Sequence, residues 1–245
     1  MSVCVLFVCN NKYINKFQNT LNMLRTNGKY EGEVVLIIGN DLKEESEKLN
    51  EKYNIQTIYF ADFYFDKNFI DESFLKDKLF QYHKFHIFDE FFKRWNYILY
   101  LDCGIKIFRP IEPILKSYKK DTFYARTDPW GPFVNKWCLG SQFDMKNPKF
   151  KELNDKYNVD KIMNYPNTSV MLFDTNIITN KIKNDLYELT LKYPIVIQND
   201  QAIIALYFVC IDKKWEDLIK EDDKQYFYDY KPNKKGKPYI MHKWR

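Results

Sequence analysis

Four short apolar runs, each followed by polar residues, constrain the fold of this chain more than any other feature. They are residues 2–9, 33–38, 56–60 and 96–101. Each run has the length of a buried strand and is rich in β-branched and aromatic residues. Between the first two runs, apolar residues recur at helical spacing through residues 13–25. Strands that alternate with helices predict an α/β chain whose central sheet is mostly parallel and flanked by helices.

The rest of the chain continues the same alternation. Asp41 stands at the start of a charged helical pattern that reaches Tyr53, and its short acidic side chain predicts a helix N-cap. Residues 71–95 carry a long apolar pattern that predicts one or two helices packed on the sheet. Further helices are expected at 149–157, 181–193 and 198–209, and further strands at 122–126, 169–173 and 239–242. Because no repeat or linker-like stretch interrupts the pattern, we expect one domain over residues 1–245.

The composition narrows the partners of this chain only slightly. Hydrophobic residues make up 45% of the sequence, which is enough for a sizeable core. The 38 basic and 33 acidic residues give a formal charge of +5, which does not by itself indicate a nucleic acid partner. A positively charged cleft would suit a ligand that carries a diphosphate.

The cysteines and the N-terminus bear on the compartment. The five cysteines are odd in number and include neither a CxxC pair nor a Cys/His cluster, so we expect a reduced, cytoplasmic protein. The apolar start of the chain lacks a basic leader region and is interpreted as a first strand, not as a signal peptide. No run reaches the ~18 apolar residues of a membrane span.

The strongest local signal for chemistry is Asp102, which directly follows the apolar run that ends at Leu101. Ligands of α/β sheets bind beyond the carboxyl ends of the strands, so an acid at this point lies at the ligand edge. A divalent ion held there takes carboxylate oxygens and bridges phosphate groups. From spacing alone, an ordinary turn that closes at Gly104 explains this aspartate equally well.

The stretch NYILYLDCGIKIFRPIEPIL resembles the metal-site segment of GT-A nucleotide-sugar glycosyltransferases, especially glycosyltransferase family 8 with its glycogenins and bacterial galactosyltransferases. The family pattern is an apolar strand, then Asp-x-Asp, then a second apolar stretch. Asp102 matches the first aspartate, whereas Gly104 stands at the second. The resemblance implies a GT-A fold, a UDP-sugar donor and Mn²⁺ or Mg²⁺, with Asp102 and Gly104 at the donor diphosphate and one metal carboxylate missing.

Two segments upstream of Asp102 fit the same family in the same order. Asn10 and Tyr13 follow the first strand, where the family holds the nucleotide base, and the resemblance places them there. A plain strand-to-helix turn is the alternative for these two residues. Lys84 lies where the family has a basic residue that faces the diphosphate. His83 and His86, three positions apart, are interpreted as structural or surface residues, because zinc-binding pairs on helices are more often four apart.

Three segments downstream complete the resemblance. Asn167 matches a family asparagine of the donor and acceptor pocket, and Ser169 stands in place of a glycine. Asp200 and Gln201 match an Asp-Gln pair that lies near the reacting sugar carbon. Asp200 would also make a good helix N-cap, and the two roles are compatible. His242 matches a histidine that binds the metal.

The acceptor is not specified by this sequence. Trp130 and Trp137 offer aromatic faces on which a sugar could stack, although packing within the loop explains them as well. We expect a hexosyltransferase that retains the anomeric configuration, an outcome implied by the resemblance alone. The alternative is a catalytically impaired nucleotide-sugar-binding module of the same fold, which Gly104 favours. A nucleotidyltransferase is disfavoured, because no glycine-rich phosphate loop follows the first strand.

Overall fold

The fold is built around a mixed seven-stranded sheet. The computed structural model describes residues 2–66, 69, 76–116, 119–128, 137–218, 227–228 and 240–241. The strands of this sheet are β1 (Val3–Cys9), β2 (Glu33–Ile38), β3 (Gln56–Tyr59), β4 (Tyr97–Leu101), β6 (Phe123–Thr127), β7 (Pro166–Asp174) and β8 (Trp215–Asp217). The short strands β5 (Lys106–Ile107), β9 (Phe227–Tyr228) and β10 (Ile240–Met241) form a second sheet. The four runs predicted as strands at residues 2–9, 33–38, 56–60 and 96–101 are thus β1 to β4.

The strand order of the large sheet is β3-β2-β1-β4-β7-β6-β8. Strands β3, β2, β1 and β4 run parallel to one another, and β8 runs parallel to β6. Strand β7 is antiparallel to both β4 and β6. Consequently the carboxyl ends of β1 and β4 and the amino end of β7 meet at one edge of the sheet. The mostly parallel α/β architecture predicted from the sequence is confirmed.

Helices cover both faces of this sheet. The α-helices are α1 (Ile14–Thr26), α2 (Ser46–Tyr53), α3 (Glu112–Leu115), α4 (Pro148–Tyr157), α5 (Ile182–Lys192) and α6 (Asn199–Leu206). The longer 3₁₀ segments are Asn40–Glu45, Lys76–Phe88, Glu90–Arg94 and Leu139–Gln142, and α6 continues into a π-turn at Tyr207–Ile211. None of the helices in the described ranges combines the length and apolar character needed to cross a bilayer.

Alternating side chains of the central strands feed two separate hydrophobic clusters. In β1, Cys4 and Leu6 belong to the cluster beneath the 76–88 segment, α5 and α6. Val5 and Phe7 belong to the cluster beneath α1. Because successive strand residues point to opposite faces, a strand that is apolar at every position must be covered on both sides. All five cysteines lie in the described ranges and are free thiols.

The start of the second helix differs from the prediction. The 3₁₀ segment Asn40–Glu45 precedes α2, and Asp41 lies inside it instead of capping the helix. The Asp41 carboxylate accepts a hydrogen bond of 2.8 Å from the backbone N–H of Asn11. This bond ties the turn after β2 to the turn after β1, so the carboxylate serves a contact between segments and not the local helix end.

Candidate functional site

A cleft of about 790 Å³ opens at the sheet edge where β1 and β4 end. Its walls come from the turn after β1, the 76–88 segment, the end of β4, the start of β7 and the start of α6. Seven residues that the sequence singled out line it: Asn10, Tyr13, Lys84, Asp102, Asn167, Asp200 and Gln201. Gly104 does not line the cleft. Trp137 does not line it either and packs against the hydrophobic cluster that contains Cys4 and Leu6. Trp130 and His242 lie outside the described ranges.

The centre of the cleft is the side chain of Lys84. Its Nζ lies 2.7 Å from Oδ2 of Asp200 and 3.2 Å from Oδ1 of Asp102. The same ammonium donates to the backbone carbonyl of Thr168 at 3.3 Å. Only 7% of the Lys84 side chain is exposed, so its charge is compensated by these partners and not by water. Segments distant in sequence are thereby joined by one buried cation.

The charge state of this cluster follows from burial and pairing. Burial by itself would lower the pKa of Lys84, but the neighbouring carboxylates of Asp102 and Asp200 outweigh it, and the pKa lies above its usual value. Burial raises the pKa of Asp200, and this rise is limited by Lys84 and by the Thr168 hydroxyl, which donates at 3.0 Å. We therefore describe the pair as an ammonium and a carboxylate that stabilise each other.

Asp102 is held in place from two sides. The Tyr100 hydroxyl donates a hydrogen bond of 2.6 Å to Oδ1 of Asp102. The backbone N–H of Asp102 donates to the carbonyl of Ser169 at 2.8 Å, which extends the β4–β7 ladder by one residue. Burial raises the pKa of Tyr100 well above its usual value, so the phenol stays a donor. The carboxylate is 29% exposed and faces the cleft in a fixed orientation.

Asn167 and Gln201 are also oriented by neighbours. The side-chain oxygen of Asn167 accepts from the hydroxyl of Ser169 at 2.5 Å and from its backbone N–H at 3.1 Å. The side-chain nitrogen of Gln201 donates to Asp128 at 2.9 Å and to Gln142 at 3.1 Å. Side chains fixed in this way by surrounding hydrogen bonds are suited to contact a ligand without further ordering.

Asp200 does not cap its helix. The N-cap of α6 is Gln198, which makes no capping hydrogen bond through its side chain. Asp200 is the second residue of α6, and only 4% of its surface is exposed. From this position its side chain contacts Lys84 and Thr168. The capping alternative from the sequence is therefore not observed, and the contact with Lys84 replaces it.

Two amide oxygens in the cleft are buried without a hydrogen-bond partner in the described ranges. They belong to Asn10, after β1, and to Asn199, at the start of α6. Asn199 has a left-handed backbone with φ of 51°, which presents the start of α6 to the cleft. An unpaired buried acceptor costs about 1–3 kcal/mol, so a hydrogen-bond donor brought to either oxygen would be favourable.

Gly104 supports the loop after β4. Its φ of +107° is a conformation that residues with a side chain rarely adopt, so a glycine is required here. Its N–H donates to the Thr20 hydroxyl at 2.9 Å. A Cβ at this position would lie 3.6 Å from Cδ of Lys16, so the Lys16 side chain runs past Gly104 at van der Waals distance.

The described residues do not form a site for a divalent ion. Among them, no three His, Cys, Asp or Glu side chains lie close enough together to hold a metal. Asp102 and Asp200 are the two carboxylates that line the cleft, and the Lys84 ammonium lies between them. Hard cations of this kind take about six oxygen ligands, and an adjacent ammonium opposes their binding. His242, the other ligand implied by the resemblance, lies outside the described ranges.

The two histidines near Lys84 are core residues. The ring of His86 stacks on two phenyl rings, with centroid distances of 4.1 Å to Phe60 and 4.5 Å to Phe63. Burial lowers the pKa of His86 to about 2, so the ring is neutral. His83 is equally buried and lies 3.0 Å from the Asp62 carboxylate. The structural interpretation of both residues from the sequence agrees with these positions, although neither one is at the surface.

The residues that sequence reasoning missed are Tyr100, Thr168, Lys16 and Asn199. Tyr100 had a readable signal, because residues two apart in a strand share a face and it precedes Asp102 by two. Thr168 and Asn199 flank matched residues but carry no pattern of their own. Lys16 is one lysine among many in the sequence.

The fold has close counterparts among solved glycosyltransferases. One is the apo form of GlyE from Streptococcus pneumoniae TIGR4, with a TM-score of 0.62, 14% identity, and coverage of 99% of this chain and 54% of GlyE. Another is the apo form of mouse xyloside xylosyltransferase 1, with a TM-score of 0.58 and 13% identity. The match covers 98% of this chain and 96% of the mouse protein. The galactosyltransferase LgtC, solved with donor and acceptor sugar analogues, gives 0.59 and 10%, with 98% and 86% covered.

These likenesses confirm the GT-A fold that the sequence predicted. This chain spans about half the length of GlyE. No protein-family model matches the sequence, and no curated protein sequence matches it. The placement in glycosyltransferase family 8 therefore stays a prediction, as do the roles of the individual residues in the cleft.

Proposed function

We propose that this chain is a glycosyltransferase that moves a hexose from a UDP-sugar to an acceptor hydroxyl. The observation that carries the proposal is the cleft itself. Residues chosen from five separate segments of the sequence, for their resemblance to one family, line a single cavity at the carboxyl edge of the sheet. Ligands of α/β folds bind at this edge, and the solved proteins with this fold reported above are glycosyltransferases.

In this proposal the base of the donor lies by Asn10 and Tyr13. The unpaired amide oxygen of Asn10 accepts a hydrogen bond from an N–H of the base. The Tyr13 ring, half-buried in the cleft wall, stacks on the base. UDP is preferred over other nucleotides on the strength of the family resemblance.

The sugar and its leaving group lie over the cluster of Lys84, Asp102 and Asp200. The ammonium of Lys84 stabilises the negative charge that develops on the departing diphosphate. Because its partners already hold it, the ammonium needs no reorganisation during the reaction. Asp200, Gln201 and Asn167 surround the sugar, and retention of the anomeric configuration is the outcome we propose from the resemblance.

Mn²⁺ or Mg²⁺ is the cofactor implied by the resemblance. When bound, such an ion neutralises charge on the diphosphate. Of the two metal ligands that the resemblance implies, Asp102 lies in the described ranges and lines the cleft.

A screen of nucleotide-sugars for hydrolysis, with and without Mn²⁺, tests the proposal. We expect release of UDP from at least one UDP-hexose, and faster release when candidate acceptors are added. Turnover of a GDP- or ADP-sugar instead would correct the donor. If every donor is left intact by a sample that is folded by circular dichroism, the proposed activity is wrong.

Gly104 favours a second candidate, a nucleotide-sugar-binding module that has lost catalysis. Calorimetric titration with UDP-sugars separates the two. Binding without hydrolysis or transfer by the same folded sample would indicate the module. Transfer to any acceptor would eliminate it.

A further inference from the structure

Three lysine side chains line the cleft, and the described residues form no binding site for a divalent metal ion. The charged lining residues are the lysines Lys12, Lys16 and Lys84 and the aspartates Asp102 and Asp200, so the formal charge is +1. Lys84, which the proposed function places at the leaving group, is already paired with both carboxylates. Lys12 and Lys16 therefore supply the additional positive charge that faces an anionic ligand.

Lys16 is placed to contact phosphate. It lies in the first turn of α1, its side chain is exposed, and its ammonium lies 4.8 Å from the centre of the Tyr13 ring. Its aliphatic part passes the loop after β4, since Cδ is 3.6 Å from the position of a Cβ on Gly104. No carboxylate within the described ranges pairs with its ammonium, whose described neighbour is the Tyr13 ring. The ammonium is thus free to move toward a ligand between the base position and Asp102.

The ammonium of Lys84 occupies the space between the carboxylates of Asp102 and Asp200. Its Nζ lies within 3.2 Å of both carboxylates that line the cleft, and Tyr100 donates to the same Asp102 oxygen that contacts Lys84. A cation bound to Asp102 and Asp200 would have to displace this buried ammonium. Such a displacement leaves a charged group buried without partners, which is strongly unfavourable.

From these contacts we infer that Lys16 binds the donor diphosphate and that this binding does not require a divalent ion. The inference rests on the proposed function, because it assigns a diphosphate ligand, Lys16, to the same cleft and states that the diphosphate binds there without a divalent ion. Lys84 holds the two carboxylates together, and Lys16, assisted by Lys12, neutralises phosphate charge. Because Gly104 has no side chain, the Lys16 side chain passes this point of the loop unobstructed.

Calorimetric titration with UDP tests the inference, and uridine serves as the probe without phosphates. The protein is titrated in EDTA and again in Mn²⁺. The variant is Lys16→Met, and the matched control is Lys52→Met. Lys52 is likewise exposed on a helix, with its ammonium 4.9 Å from the centre of the Tyr53 ring, and it does not line the cleft. Both variants remove one positive charge.

We expect wild-type affinity for UDP in EDTA to lie within about threefold of that in Mn²⁺. Lys16→Met should weaken UDP binding about tenfold, the loss of one charge-assisted contact, and should change uridine binding by less than about twofold. Lys52→Met should bind UDP as the wild type does. This pattern would place Lys16 on the phosphates.

Other outcomes overturn the inference in distinguishable ways. If UDP binds only with Mn²⁺, the independence from metal is wrong and the proposed function stands. If Lys16→Met binds UDP as tightly as Lys52→Met does, Lys16 is not a phosphate ligand. If UDP binds to the folded protein in neither condition, the UDP-sugar donor of the proposed function is wrong and the inference fails with it.

Discussion

The ammonium of Lys84 lies 2.7 Å from the carboxylate of Asp200, and both side chains are almost completely buried. The 76–88 segment and α6 are thereby joined across the start of β7. A buried pair of this kind adds little net stability compared with an apolar pair, but it fixes the position of each charge. Here that position is the floor of the cleft.

Removal of the ammonium should destabilise the fold. In Lys84→Met, Asp102 and Asp200 lose their buried counter-charge, so we expect the free energy of unfolding to fall by about 3–5 kcal/mol. Urea denaturation measures this change. The double variant Lys84→Met, Asp200→Asn removes the uncompensated charge and should recover part of the loss. Equal stability of Lys84→Met and wild type would show that the pair is not formed.

Loss of the Asp102 charge should affect activity more than stability. Asp102→Asn keeps the size of the side chain and its contact with Tyr100, and Lys84 keeps its ion pair with Asp200, so the protein should stay folded with only a modest fall in melting temperature. We expect nucleotide-sugar turnover to fall by at least about 100-fold, the effect of removing one preorganised charged group. Asp155→Asn, on the exposed face of α4, is the control for a lost carboxylate. Near wild-type turnover in Asp102→Asn would remove Asp102 from the site.

The hydroxyl of Thr168 should contribute through Asp200. It donates to the Asp200 carboxylate at 3.0 Å and lies 3.4 Å from Nζ of Lys84. Thr168→Val keeps the shape but removes the donor, so we expect a loss of about 1–3 kcal/mol in the free energy of unfolding. Thr168→Ser retains the hydroxyl and should stay close to wild type. Similar stability of the valine and serine variants would argue against this hydrogen bond.

The stability of the protein should fall in mild acid because of His86. Burial depresses the pKa of this ring from 6.5 to about 2, so the unfolded chain takes up a proton that the native ring refuses. The contribution is therefore complete above pH 6.5 and is lost progressively as the pH falls toward 2. The expected slope from this residue is about 1.4 kcal/mol per pH unit.

His86→Phe keeps a flat ring between Phe60 and Phe63 and cannot be protonated. Its free energy of unfolding between pH 6.5 and pH 5 should therefore depend on pH less steeply than that of the wild type, by about one proton. Urea denaturation at several pH values measures both slopes. Parallel curves for the two proteins would show that the ring of His86 titrates normally in the folded state.

Much of the fold was predictable from local patterns. Strands β1, β2 and β4 were readable because a strand buried on both faces is apolar at nearly every position and is bounded by polar turns. The helix start at Asp41 was not, because its carboxylate serves a backbone N–H of another segment. The 3₁₀ winding of Lys76–Phe88 was also missed, since its apolar pattern alone does not distinguish the two kinds of helix.

The sequence by itself determined that Asp102 directly follows a buried strand and that a glycine, without a carboxylate, stands at position 104. The order of Asn10, Lys84, Asn167 and Asp200 gave a resemblance to one family, from which their roles were predicted. Only the tertiary structure decided that Lys84 lies between Asp102 and Asp200, and that Lys16 passes Gly104. The physical reason is that a strand and its end are fixed by neighbours in the chain. A buried ion pair is fixed by the packing of segments that are distant in sequence. A local sequence pattern therefore does not indicate which lysine pairs with Asp102 and Asp200.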